Sequence, residues 1–251
     1  MKHLFVLFSF LVLVSISSVL AQDRVEFYLS PGYSYRTIQL EANTDLGFKD
    51  SLNSMDGLRH NWSAGIRVVT KELGRSANKF QIGIEYRGVS FSRVLSDLQF
   101  HDSIHPKVGR INDLSVTVEK NAYFSHKYRY LSFPVNYQFR LLERKNTSNF
   151  NFYLNLGVAP ELLIADDIKL FLKGFTVGGE NHYSLTNDYD ATQLNITAQL
   201  GGRMVYKMSE IQSFIIQPQL QFPIFTTAHD DKQSMRLYQL GLNVGVNMIL
   251  K

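Results

Sequence analysis

The stretch Tyr238-Gln239-Leu240-Gly241-Leu242-Asn243-Val244-Gly245-Val246-Asn247-Met248-Ile249-Leu250 decides the fold. Tyr238, Leu240, Leu242, Val244, Val246, Met248 and Leu250 share one parity, and Gln239, Gly241, Asn243, Gly245 and Asn247 share the other. Alternation at period two describes a strand between two different environments. A helix would place its apolar residues at i, i+3 and i+4, which this stretch does not.

The same period recurs along the chain. Val25, Phe27, Leu29, Tyr33 and Tyr35 oppose Glu26, Ser30, Gly32, Ser34 and Arg36. Trp62, Ala64, Ile66 and Val68 oppose Ser63, Gly65 and Arg67, and Phe80, Ile82, Ile84 and Tyr86 oppose Gln81, Gly83, Glu85 and Arg87. Leu131, Phe133, Val135, Tyr137, Phe139 and Leu141 oppose Ser132, Pro134, Asn136, Gln138 and Arg140. Three more such segments cover 150–159, 194–206 and 214–224. With the last segment they predict eight strands.

Three features turn the apolar face outward into lipid rather than inward as in a water-soluble barrel. The polar face is Gly, Asn, Gln and Ser with few Lys and Glu, which suits a narrow lumen better than bulk water. Glu26, Arg67, Glu85, Arg87, Arg140 and Arg203 are the charges expected there. The segments have the length that crosses a bilayer at a tilt. The links also alternate: 71–78, 142–148 and 207–212 are short, while 38–60, 94–127, 160–191 and 227–235 are long. Short periplasmic turns and long extracellular loops are the order of an outer-membrane up-and-down barrel. Eight strands follow, or ten if the alternating pieces 114–118 and 168–177 insert.

Composition agrees. The chain has 251 residues, 45% hydrophobic and 19% charged, with 18 Phe and 13 Tyr. A mean hydropathy of −0.11 is too polar for a bundle of membrane helices, and the aromatic content is too high for disorder. The absence of cysteine excludes disulfides and thiolate chemistry, and a net charge of +4 is too small for a nucleic-acid partner. Residues 1–21 read as a cleaved signal peptide for Sec export: Lys2, an apolar run from Leu4 to Ile16, then Val19-Leu20-Ala21 as the cleavage site. Residues 22–251 form one domain.

Some residues strain the pattern. Pro134, Pro218 and Pro223 lie within predicted strands, where proline marks a bulge or a strand end. Parity slips at Gly88-Val89-Ser90-Phe91, which predicts a bulge or the membrane exit. Tyr33, Tyr35, Tyr86, Tyr128, Tyr130, Tyr206 and Tyr238 are expected to form the aromatic girdle at the headgroups. Asn195, in an Asn-x-Thr triplet, falls in the predicted lumen.

At Arg129-Tyr130-Leu131-Ser132-Phe133-Pro134-Val135 the chain resembles the small outer-membrane β-barrel family widespread in Bacteroidetes, to which PorT-like proteins belong. Phe152-Tyr153-Leu154-Asn155-Leu156-Gly157 and the closing strand Leu240-Gly241-Leu242-Asn243-Val244-Gly245 fit the same resemblance. Family members often carry an acidic residue where this chain has Ser132. The resemblance implies a Gram-negative outer-membrane barrel and, through PorT, a link to type IX secretion.

No residue set points to catalysis, a cofactor or a bound metal. His101 and His105, with Asp97 and Asp102, lie in a long loop without the spacing that converges metal ligands. Ser125-His126 and Asp166-Asp167 are adjacent in sequence, which is not the geometry of a hydrolase triad. Lys107, Arg110, Lys120, Lys127 and Arg129 give one loop a basic bias suited to lipopolysaccharide phosphates. The expected role is a non-enzymatic interaction barrel with long surface loops, in contact with outer-membrane lipids and an envelope or secretion-machinery partner. A narrow channel for ions or small solutes is the alternative, and a rim-located lipid-modifying enzyme the third.

Overall fold

The computed structural model describes residues 24–40, 56–70, 78–96, 98, 104–105, 109–113, 120–141, 149–177, 179–185, 190–230 and 233–249. Residues 1–21, expected to be a cleaved signal peptide, and the alternating piece at 114–118 lie outside the described residues. Eight long strands make the ring: β1 (Arg24–Leu40), β2 (Arg59–Val69), β3 (Lys79–Leu95), β4 in two pieces (Asn121–Ser132 and Val135–Arg140), β5 (Phe150–Lys173), β6 (Leu194–Lys207), β7 (Gln212–Pro223) and β8 (Gln233–Ile249). Each pairs antiparallel with the next, and β8 returns to β1 from Arg24↔Ile249 to Leu40↔Gln233. The chain is an eight-stranded antiparallel up-and-down barrel with no open edge in the ring.

Burial follows the alternation in the inverted sense. Glu26, Arg67, Glu85, Gln217 and Asn243 are fully buried, whereas Leu29, Trp62, Leu240 and Leu242 are exposed. Such an apolar outer belt around a polar interior is stable against hydrocarbon, not against water. Aromatic side chains mark both rims of the belt. Tyr35 stacks on Tyr238 at 5.2 Å toward the loop end, and Phe150 meets Tyr206 at 4.8 Å toward the turn end. Tyr128 and Tyr130, expected in this girdle, are instead buried at 1% exposure. They share the inward parity of Ser132, so they fill the interior.

The strained positions resolve individually. Pro134 splits β4, but the register to β3 is unchanged across the gap, and the Pro134 carbonyl still accepts from the Gly83 amide at 3.0 Å. Pro223 is the last residue of β7. Pro218 is neither bulge nor rim: it sits mid-strand opposite Leu242. Its carbonyl faces β6 at Gly201, so its missing N–H is on that side too, and there the ladder lapses between Gly201↔Gln219 and Met204↔Ile216 without shifting. Parity does not slip at Gly88–Phe91 either. Val89 and Phe91 keep the inward parity of Arg87, and the interior itself turns apolar at that level. The one nearby bulge is on β5, where Ile164 is the extra residue between Arg129↔Ala165 and Tyr130↔Leu163.

Several expected loops are partly strand. β5 runs to Lys173 and so includes Glu161, and β4 begins at Asn121. The ring therefore stays at eight strands, and segment 168–177 lengthens β5 before a short strand, Phe175–Val177, pairs with Gly109–Asp113. Beyond the belt the barrel wall divides into two lobes. The larger extends β3, β4 and β5 and adds His182–Leu185 against β5. The smaller extends β1 and β8 and adds Ala228–Asp230 and Asp190–Ala191.

Substitutions of neighbouring residues on β8 separate the two faces. Leu242→Arg, on the lipid face, is expected to cost about 2–4 kcal/mol near the bilayer midplane. Asn243→Leu, facing the lumen, costs less. Urea titration of protein folded in lipid vesicles measures both, and a larger loss for Asn243→Leu would reverse the face assignment.

Candidate functional site

The interior is layered. In the half nearer the turns, Arg203 clasps Glu26 with Nη1 to Oε1 at 3.1 Å and Nη2 to Oε2 at 2.6 Å. Gln81 donates to the same carboxylate at 3.2 Å, and Arg203 also donates to Gln217 at 3.1 Å. Beside them Arg67 pairs with Glu85 at 3.2 Å and lies over the Tyr28 ring at 3.8 Å. The Tyr28 hydroxyl donates to Glu85 at 2.5 Å. That reach crosses Gly65, which stands between Tyr28 and Glu85 in register, and any Cβ there would collide with the tyrosine ring.

A second polar layer lies toward the loops. Arg87 donates to Glu161 at 2.5 Å, to Thr197 at 3.1 Å and to Gln239 at 2.8 Å. Gln239 donates to Asn61 and Asn61 to Ser34, while Ser132 and Thr197 donate to Glu161. This belt of side chains touches seven of the eight strands, all but β7. Glu161 stands opposite Ser132 in register.

Apolar clusters close the two ends. Val89, Phe91, Tyr128, Tyr130, Ala228, Met235 and Leu237 pack together above the Arg87 layer. Tyr153, Val205 and Ile215 pack toward the turns. Between the Arg87 layer and the upper cluster the remaining void is about 10 Å³, the space of roughly one water. Side chains fill the interior at the levels of these layers.

The expected lumen charges Glu26, Arg67, Glu85, Arg87 and Arg203 all converge here. Arg140 does not: it is half-buried at the turn-end mouth and bonds Asn151 at 2.9 Å. Asn195 is buried in the lumen as expected. Glu161 was missed because the segment after Pro160 reads as a loop, yet extending the parity of Asn151, Tyr153, Asn155 and Ala159 would have reached it. Ser125 and His126 point to opposite faces of β4, as adjacent strand residues must, so they cannot act as a dyad. Asp166 and Asp167 are separated in the same way on β5. His101, Asp97, Asp102 and Lys107 lie outside the described residues, and of His105 and Arg110 only the strand position is described. Among the described residues no three His, Asp or Glu converge as metal ligands.

His126 sits inward, two rows beyond the belt, stacked on Phe91 at 4.3 Å, with Arg36 over the same phenyl ring at 4.2 Å. Burial, then the charges of Arg36 and Arg93, lower its pKa from 6.5 to about 4. A neutral folded His126 means that stability is intact above pH 6.5 and falls as pH drops toward 4, by at most about 3 kcal/mol. His126→Phe should flatten urea midpoints between pH 7 and 4. In the polar layer, Glu161→Ala strands the buried Arg87 and is expected to cost about 3–5 kcal/mol, with the double variant Arg87→Met/Glu161→Leu recovering much of it.

No known family profile matches the sequence, and no curated protein matches it. Solved structures do resemble the chain in shape. Neisserial surface protein A is 9% identical over 88% of this chain and 96% of its own, with a TM-score of 0.38. The outer membrane protease OmpT from Escherichia coli is 7% identical over 92% and 97%, with a TM-score of 0.45. The outer membrane protein OprG from Pseudomonas aeruginosa is 10% identical over 91% and 95%, with a TM-score of 0.41. At these identities the likeness concerns the fold alone.

Proposed function

We propose that this chain is an integral protein of a Gram-negative outer membrane, exported through the Sec pathway, and that it works as a scaffold whose loop-end lobes engage partners. The observation that carries this reading is a packed interior inside an apolar outer belt. Eight strands leave a lumen only wide enough for side chains. Here three buried ion pairs and two apolar clusters occupy it. A rigid frame with elaborated ends is a common way to present binding surfaces.

The packed interior weighs against the narrow-channel alternative, because an ion would have to displace Phe91 and Tyr130 or separate Arg87 from Glu161. The opposed directions of Ser125 and His126 weigh against the rim hydrolase. A role beside an envelope or type IX-like secretion machine is supported by the resemblance at Tyr130–Val135 and by the elaborated lobes. Crosslinking followed by co-purification from outer membranes tests it, and recovery of the barrel alone would remove it.

Two measurements address the barrel reading. The folded chain is expected to run as a compact band that shifts on boiling, and to give no reproducible openings in planar bilayers. Steady conductance from the wild type would overturn the scaffold reading in favour of a channel.

A further inference from the structure

Resting on the outer-membrane reading, we infer that the outward face of the larger lobe is a binding site for a phosphorylated glycolipid of the outer leaflet, namely lipopolysaccharide. The sheet register orders that face in cross-strand rows. Tyr86, Leu131 and Leu162 form the last apolar row of the belt. Gly88, Arg129 and Ala165 follow, then Ser90, Lys127 and Asp167. Next come Ser92, Ser125, Lys169 and Ser184, and above them Val94, Tyr123, Phe171 and His182. Each row is about 7 Å of strand beyond the last.

Read outward from the membrane, the chemistry changes from hydrocarbon-facing leucine to cations, then to hydroxyls, then to a line of rings. Tyr123 and Phe171 have centroids 5.9 Å apart, and Phe171 and His182 4.7 Å apart. A groove runs along the two upper rows, lined by Arg59, Tyr123, Ser125, Lys169, Phe171 and His182 among others. Asp167 is the one acid in these rows; it lies 3.7 Å from Lys169, whose side chain remains 71% exposed. Acyl chains against the belt, phosphates against Arg129, Lys127 and Lys169, and sugar rings against the serine and aromatic rows match one amphiphile in that order. Arg and Lys recognise phosphate by charge-assisted hydrogen bonds, and ring faces accept the apolar side of a sugar.

Two features make this face distinct. Its reverse side is already occupied: Ala122, Leu172 and Phe175 form a small core there with Phe124, Leu170 and Tyr183. The outward side chains are therefore held on a packed two-layer unit. Among the described residues of the smaller lobe, the first outward row above the stacked Tyr35 and Tyr238 holds a single cation, Arg236, opposite Thr37.

The test uses the folded chain in detergent micelles, titrated with rough lipopolysaccharide carrying its core oligosaccharide, with lipid A alone and with phosphatidylglycerol. Wild type should bind lipopolysaccharide at least tenfold more tightly than phosphatidylglycerol. Lys127→Glu/Arg129→Glu should lose tenfold or more on both lipopolysaccharide and lipid A. Tyr123→Ala/Phe171→Ala should lose affinity for lipopolysaccharide but not for lipid A. Unchanged affinity in the charge-reversed variant, equal binding of phosphatidylglycerol, or deacylated core oligosaccharide binding as tightly as the intact lipid would each overturn the site. The heat-shifted gel band is read on every variant. Its loss in the wild type would defeat the barrel reading, whereas its retention with unaltered binding defeats only this inference.

Discussion

Inside hydrocarbon there is no water to satisfy a peptide group, so every amide and carbonyl must find its partner within the protein. In this chain that requirement is met by the β1–β8 ladder, which joins the first and last strands from Arg24↔Ile249 to Leu40↔Gln233 with one lapse at Ser30 and Pro31, and removes the two edges the meander would otherwise expose. All else follows from closure. Once the ring is shut, each strand has an inside and an outside, and period-two alternation becomes a sorting of side chains between lipid and lumen. Closure leaves no free edge for proline, so the three prolines the pattern flags are accommodated locally. Pro223 ends a strand, Pro134 sits at a local break where its own carbonyl accepts from Gly83 and the Phe133 amide donates to Pro160, and Pro218 sacrifices one ladder link beside Gly201.

Closure creates a second problem, which is what to place in a narrow, water-poor interior. Burying a charge costs several kcal/mol unless it is paired and hydrogen-bonded. The chain answers with opposite charges from different strands, of which Glu26, Glu85, Arg87, Glu161 and Arg203 have amide or hydroxyl neighbours and Arg67 lies over the Tyr28 ring. Glu26 with Arg203 and Arg87 with Glu161 tie strands that are far apart in sequence, while Arg67 with Glu85 bridges the consecutive strands β2 and β3. Above the Arg87 layer the strategy changes from polar pairing to apolar packing by Val89, Phe91, Tyr128, Tyr130 and Leu237. This shift coincides with the outward change from Leu131 to Arg129 and Lys127. The wall thus exchanges an apolar exterior and polar interior for the reverse, as expected where it leaves the bilayer and meets water.

That exchange also accounts for the lobes. Once outside the belt, sheet extensions no longer gain from facing lipid, so they must bury apolar faces against something else. The larger lobe does so by packing Phe175 and Val177 against Ala122 and Leu172. The smaller packs Ala228, Met235 and Leu237 into the barrel mouth. Binding surfaces on such lobes have fixed geometry without any need for an open lumen.

The eight strands, their alternating long and short links and the outward direction of Leu242 against the inward direction of Asn243 were all legible in the sequence, because period-two patterning is local and each strand carries its own copy. Glu26, Arg67, Glu85, Arg87 and Arg203 were legible as interior charges for the same reason. Partner choice was not: that Arg87 meets Glu161, or that Tyr28 reaches Glu85 over Gly65, depends on register across strands separated by dozens of residues. Nor were Tyr128 and Tyr130 placed correctly, since their parity is the same whether the wall lies in lipid or above it. Only the closed tertiary structure decides where the membrane ends, because that boundary is a level shared by eight strands and not a property of any one.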